Sequence, residues 1–527
     1  MVAGQQSVTA TATAWDNSQG SLVAVQGDLN LHTTTNAVKN AAGLIQAEND
    51  IRLTLDGAGN QLHNGQGKIV SGRDAILSTG QMDNDAGLVA AGRNLGIDTH
   101  QQSLSNQASR SSAGALGLVA GAQLDIHSGT LNNQGGLISA QTDLNITSSG
   151  AIDNTEKNAQ AAQIYSGAQL NLQSTGIDNA GSQILAVQGA DISVGSGTLT
   201  NQAGLIRVGQ ALTIQAGAID NQNTLALNGD GSAQALGLEA STISVTAAKL
   251  DNSQGAVRAD QDLTIFSDGQ LINDRGELSA GKQLKIAADQ AATPTLNISN
   301  NAGQIVADHK VDLRTGSLNG AGEIASRGDV SLHLQGDHTL AGTLQAGGNL
   351  QLQATGTLTN PVTVQAGKNL TVNASNLDNR ATGELLSGQT TQLTISDTLT
   401  NRGLIDGADT RIQAGNINNV GTGRIYGDRV AIAASALTNQ EETVAGITQA
   451  ATIAARERMD LGVQNITNRE NALIYSAGNL FTGGALDSNW HATGAGQTLN
   501  NNSATLESAG SMVLGHDQVR MLISTQK

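Results

Sequence analysis

The chain contains no cysteine, which excludes a disulfide framework and any cysteine-ligated metal. Two prolines in 527 residues leave few points of enforced bending. Large rings are nearly missing: two Trp, two Phe and three Tyr, so the apolar 38% is almost all Ala, Val, Leu and Ile. An ordinary globular core fills irregular space with aromatic groups, whereas small aliphatics at recurring positions suit a narrow, uniform one. Positive charge is also scarce, 27 Lys plus Arg against 44 Asp plus Glu for a net −17, and no basic stripe occurs. Nucleic acid is therefore excluded as a general partner. No run reaches eighteen apolar residues, so no transmembrane helix is expected. The opening Met1-Val2-Ala3-Gly4-Gln5-Gln6 lacks the basic and apolar regions of a secretory signal, so an exported protein would carry its targeting part elsewhere.

What is abundant is repetition. Sixty-four Gly mark frequent tight turns, and the apolar residues are periodic rather than scattered, which argues against disorder. A clear unit runs Leu131-Asn132-Asn133-Gln134-Gly135-Gly136-Leu137-Ile138-Ser139-Ala140, then Asp143-Leu144-Asn145-Ile146. Each unit reads as aliphatic-x-Asn, a Gly turn, aliphatic-x-Ala, a second turn with Gly and Asp or Asn, and aliphatic-x-aliphatic. The anchor aliphatic recurs from Trp15 to Leu499 at 23 positions, a mean spacing of about 22 residues; Leu318, Leu340 and Leu486 are among them.

Period-two alternation over two to four residues means very short strands with one buried face. Leu131, Ile138, Ala140, Leu144 and Ile146 are the expected core of one unit. Strands this short gain stability only by stacking coil on coil. Leucine-rich repeats have similar lengths, but here Gly, Asn, Asp and Thr stand where an outer helix would need helix formers. The expected fold is all-β, a right-handed parallel β-helix of about 23 coils with short loop excursions.

Asn stands two residues after 20 of the 23 anchors, including Asn84, Asn106, Asn133, Asn154, Asn179, Asn201, Asn221, Asn252, Asn273, Asn379, Asn401, Asn419 and Asn439; Gly320, Gly342 and Ser488 are the exceptions. Asn and Gly both tolerate left-handed backbone, and stacked amides can bond one another, so these residues predict a structural asparagine ladder at one corner.

The chain is expected to be a single continuous repeat region over 1–527, a section of a longer protein. The repeat is disturbed near 107–115, 155–163, 222–243, 286–297 and 440–464. Pro294 predicts a bulge within 286–297, since proline cannot donate to a ladder. Thr443 to Asp460 suits either a short helix or, through Ile453, continued alternation.

Chemistry-bearing patterns are thin. The nine His form no helical metal pair, and His333 with His338 reads as a surface pair. Asp83 with Asp85 and Glu441 with Glu442 are the nearest approach to paired carboxylates for glycoside hydrolysis, but one pair lies at the repetitive Asn corner and the other in an irregular loop. No phosphate loop and no serial calcium repeat occurs, and Asn145 and Asn465 meet the glycosylation sequon only as an Asn/Thr-rich repeat readily does. No catalytic, cofactor-binding or metal site is expected, and no cofactor.

The recurrent Leu-Asn-Asn-Gln-Gly-Gly-Leu-Ile-Ser-Ala unit resembles the haemagglutinin repeats of filamentous haemagglutinin-like exoproteins of two-partner secretion, a group that includes contact-dependent growth-inhibition toxins. The likeness runs from about Trp15 to Val513. It implies a secreted or bacterial surface protein, associated with the outer membrane. The implied partners are an outer-membrane two-partner-secretion transporter, engaged through an amino-terminal domain not visible in this sequence, and a host or bacterial cell-surface receptor. It further implies a monomeric, non-enzymatic adhesin shaft; the rod of a contact-dependent toxin is the alternative, and a β-helical carbohydrate-active enzyme a more distant one. No Val-Glu-Asn-Asn junction motif is present.

Overall fold

A computed structural model describes residues 1–110, 116–225, 235–288 and 294–522. It divides into two compact units, Met1–Ser279 and Ala280–Lys527, each a parallel β-solenoid. Strand accounts for 61% of the chain in about 24 turns, and no helix forms among the described residues.

The unit at 131 shows how a coil is built. Leu131–Asn132, Leu137–Ala140 and Leu144–Ser148 are its three strands, joined by turns. Each lies parallel to its equivalent one coil away: Leu131 pairs with Ile152, Ile138 with Ile164 and Leu144 with Leu170. Because the register is kept, like side chains stack in columns, and a one-residue slip would turn every aliphatic outward. Leu131, Ile138, Ala140, Leu144 and Ile146 are all fully buried or within 1% of it.

The first turn explains the glycines. Gly136 N–H donates to Asn133 O at 2.8 Å, closing a four-residue turn. The left-handed residue is the second after the Asn: Gly135 has φ +58°, and Ala86, Ala108 and Ala203 adopt φ near +50° in the same place. The ladder asparagines themselves are not left-handed, so of the two expected reasons for their choice the backbone one is corrected and the amide-to-amide bond remains. At Gly136 a Cβ would lie 2.2 Å from Asn106 O and 2.3 Å from Asn133 Oδ1, which no side chain tolerates.

Two coils with long insertions show how a coil survives them. In regular coils the third residue after the Asn donates to the Asn carbonyl and accepts from the next coil, as Gly20 does from Leu44 N–H at 2.9 Å. Where the chain departs after Asn106 and Asn221, a hydroxyl takes over both bonds. Thr224 Oγ1 donates to Asn221 O at 3.1 Å and accepts from Ala256 N–H at 2.9 Å; Ser109 does the same between Asn106 O and Leu137 N–H. Thr224→Val should strand a buried carbonyl and a buried N–H, costing roughly 2–4 kcal/mol. Accelerated hydrogen exchange at the Ala256 amide would show it, and an unchanged rate would refute the assignment.

The other disturbed segments resolve differently. Residues 111–115 and 226–234, within the first and third, and 289–293, within the fourth, lie outside the described residues. Near 155–163 the chain makes a loop with a Lys157–Gln160 bridge, held by Arg110 Nη1 donating to Ala161 O at 3.0 Å. Pro294 is buried, as is Leu296, so the bulge expected there is not at the proline itself. The helix considered at 443–460 does not form. Glu441–Val444 turns back antiparallel on Ile447–Ala450, and Thr452–Arg469 resumes the ladder with Ile453 buried opposite Ile425. Alternation wins because Ala451, Ile453 and Ala455 all find the core.

Two anchors are also corrected. Ile466 pairs directly with Leu499, and Leu486 belongs to a small antiparallel hairpin, Ala485–Leu486 with Ala492–Thr493. His338, not Leu340, is in register with Leu358.

Candidate functional site

The repeated Asn is the most regular polar feature of both units. In the first unit Asn17 Nδ2 donates to Asn40 Oδ1 at 2.7 Å. The same bond links Asn40, Asn64, Asn84, Asn106, Asn133, Asn154, Asn179, Asn201, Asn221, Asn252 and Asn273 at 2.7 to 2.8 Å. In the second unit it links Asn360, Asn379, Asn401, Asn419, Asn439, Asn468 and Asn501 at 2.7 to 2.9 Å. Most of these amides also reach a main-chain carbonyl of the neighbouring coil, as Asn106 does to Leu137 O at 3.0 Å. From Asn40 to Asn273 every member is fully buried, so amides engaged in this way present nothing to a ligand.

A second ladder went unread in the sequence. At another corner a side-chain oxygen accepts the backbone N–H of the residue one coil on: Asp28 from Asp50, Asp50 from Asp74, Asp74 from Asn94, at 3.1 to 3.3 Å. Asp329 takes the Asn349 N–H at 2.7 Å in the same manner. The signal was the Asp or Asn standing before the third strand, which reads as a turn former until the coils are stacked.

Gly320 and Gly342 leave a gap in the asparagine ladder of the second unit, and both are left-handed, at φ +98° and +73°. A cavity of about 20 Å³ lies there, lined by Asn300, Gly320, Leu332, His338 and Leu340 among others. That is room for one water molecule and no larger ligand.

The histidines and paired carboxylates are engaged separately. His338 is buried, not at the surface as expected, with Nε2 2.9 Å from Gln335 O; His333 Nε2 lies 3.1 Å from Ser331 Oγ. Asp83 accepts the Asp85 N–H, while Asp85 accepts from Ser105 Oγ and Gln107 N–H. Asp83 thus closes a turn, and Asp85 bonds one coil to the next. Glu442 receives Arg402 through two bonds of 2.8 Å, and Glu441 receives Asn471. Among the described residues no group of three His, Asp or Glu is placed to hold a metal.

Arg402 holds the Glu442 carboxyl below the ordinary glutamate range, chiefly through its hydrogen bonds. With its folded value depressed, the pair stabilises the hairpin base above the unfolded value and the contribution is lost as pH falls through the folded one. Proteolysis within 441–450 should therefore rise in acid, and Arg402→Gln should reproduce that rise at neutral pH. Equal cleavage of both proteins at both pH values would remove the pair from this role.

A groove of about 470 Å³ in the second unit is lined by Asn349, Leu350, Gln351, Asn369, Thr371, Thr390, Gln392 and Arg411. Arg411 lies beneath the Trp490 ring at 5.5 Å. The lining contains no carboxylate or histidine for acid–base cleavage.

The haemagglutinin repeat family model matches the chain in eight overlapping segments, 2–61, 46–118, 101–156, 155–197, 189–254, 235–306, 295–360 and 345–403. Neither the curated proteins nor the solved structures give a match.

Proposed function

Because the chain belongs to the haemagglutinin repeat family, we propose that it is the non-enzymatic shaft of a filamentous haemagglutinin-like adhesin, mediating or positioning contact at a cell surface. The observation that carries this reading is the use of the repeated polar residues: the Asn and Asp columns bond coil to coil rather than converge on a cleft. Stacked coils of this kind extend by addition of like units, which suits reach more than catalysis.

The same proposal extends to secretion to the bacterial surface with the help of an outer-membrane two-partner-secretion transporter, a reading that membership of the family supports. No helix among the described residues is long and apolar enough to cross a membrane.

Purified 1–527 is the material for the test. Direct adhesion predicts binding to target cells that is lost when the 441–450 and 485–493 hairpins are replaced by short turns while the β signal is kept. If the unaltered protein binds no cells, direct adhesion is wrong and only the spacer role survives.

A further inference from the structure

All three tyrosines of this aromatic-poor chain stand on strands of the same type, pointing away from the core. In the second unit two of them share one column. Leu386 pairs with Asp406, Asp406 with Tyr426, Tyr426 with Ala454 and Ala454 with Tyr475. Their strand neighbours Ile405, Ile425, Ile453 and Ile474 are fully buried, so the column itself faces outward, and each of its members is partly exposed. Leu404 and Leu473 stand two residues away on the same face, in a column shared with Glu384, Arg424 and Thr452, so aliphatic and aromatic groups are mixed with polar ones on a sheet side that elsewhere in this unit carries Gln345 and Gln365.

Asp406 is out of place on such a surface. Its Oδ1 is buried without a hydrogen-bond partner, between Leu386 and Tyr426. Burial raises its carboxyl above the ordinary range, against the opposing influence of Arg456 and the Gly407 N–H. Nearby cations are already engaged: Arg456 with Asp428 at 3.0 Å, and Arg424 with the carbonyls of Gly423 and Ala450. Unsatisfied buried polar groups are rare because each costs stability. The Asp406 side chain as a whole is partly exposed, so a cation brought to this face would meet its carboxyl and offset the cost of the orphan oxygen.

We propose that this face is a docking surface for a protein partner that presents an arginine or lysine among aliphatic residues, the cation meeting Asp406 and the ring of Tyr426. Tyrosine supplies both apolar area and a face that attracts a guanidinium. The net charge of −17 and the carboxylate together repel nucleic acid and anionic bilayers. The surface is independent of whether the shaft serves adhesion or toxin delivery.

The test uses the full chain and a synthetic twelve-residue peptide of alternating Arg and Val, blocked at both ends, with the Glu/Val peptide as control. Calorimetry should show binding of the first only, weakened about tenfold or more by Asp406→Asn and by Tyr426→Ser. Asp191→Asn, an exposed carboxylate of the first unit, should leave it unchanged. Hydroxyl-radical footprinting of the unaltered protein, which needs no variant to fold, should show Tyr426 and Tyr475 protected by the peptide and Tyr165 not. Equal binding by all variants, protection of all three tyrosines alike, or no binding at all would overturn the proposal.

Discussion

Ile138→Asp should melt a local block of coils, at a cost above about 4 kcal/mol. Ile138 is fully buried and stacks between Leu118 and Ile164, so a carboxylate there has aliphatic neighbours on both sides and no cation within the core column. Solenoid stability is close to a sum of nearest-neighbour terms, so the loss should stay near residues 118–164. Limited proteolysis should open that stretch first, and a thermal melt should gain an early phase. A melt and a cleavage pattern like those of the unaltered protein would show that Ile138 does not face inward.

Replacing one ladder amide should have the next largest effect, and its chemistry separates two explanations. Asn133 accepts from Asn106 and donates to Asn154, each at 2.7 Å. Asn133→Leu removes both and leaves two buried groups without these bonds, costing roughly 2–4 kcal/mol. Asn133→Asp keeps the acceptor but sets an oxygen against Asn154 Oδ1. It should be at least as damaging as leucine, although it is closer to asparagine in shape. If instead Asp behaved like Asn, packing rather than hydrogen bonding would be what the corner requires. Denaturant midpoints of the two variants decide between them.

The repeat made the coil legible because stacking copies one short pattern many times, so errors in a single unit are averaged out. Leu131, Ile138, Ala140, Leu144 and Ile146 are buried where alternation placed them. Errors arose where one coil differs from its neighbours. Leu340 looked like an anchor because it is aliphatic, yet His338 occupies the register position and Leu340 packs two residues later. Leu486 matched the spacing of a coil but lies in a hairpin, and spacing alone cannot distinguish a coil from an insertion of similar length. The corner turn was placed correctly while its left-handed residue was not, since Ala, Gln and Arg occupy that position as well as Gly. The Asp406 column was invisible for another reason: outward neighbours are about twenty residues apart in sequence and meet only once the register is known.

The asparagine ladder also has a direction. Each link of the run donates toward the coil that follows in sequence, Asn360 to Asn379, Asn379 to Asn401 and onward to Asn501. The seven amide dipoles of that run therefore lie head to tail, and each bond polarises the next, strengthening it by about 10–30%. Such a chain has unlike ends. At the far one, Asn501 stands opposite Met521 and its Nδ2 turns back to Ala504 O at 2.8 Å. Along the run each coil presents an acceptor to the coil before it and a donor to the coil after it, so the two faces of a coil are not interchangeable at this corner.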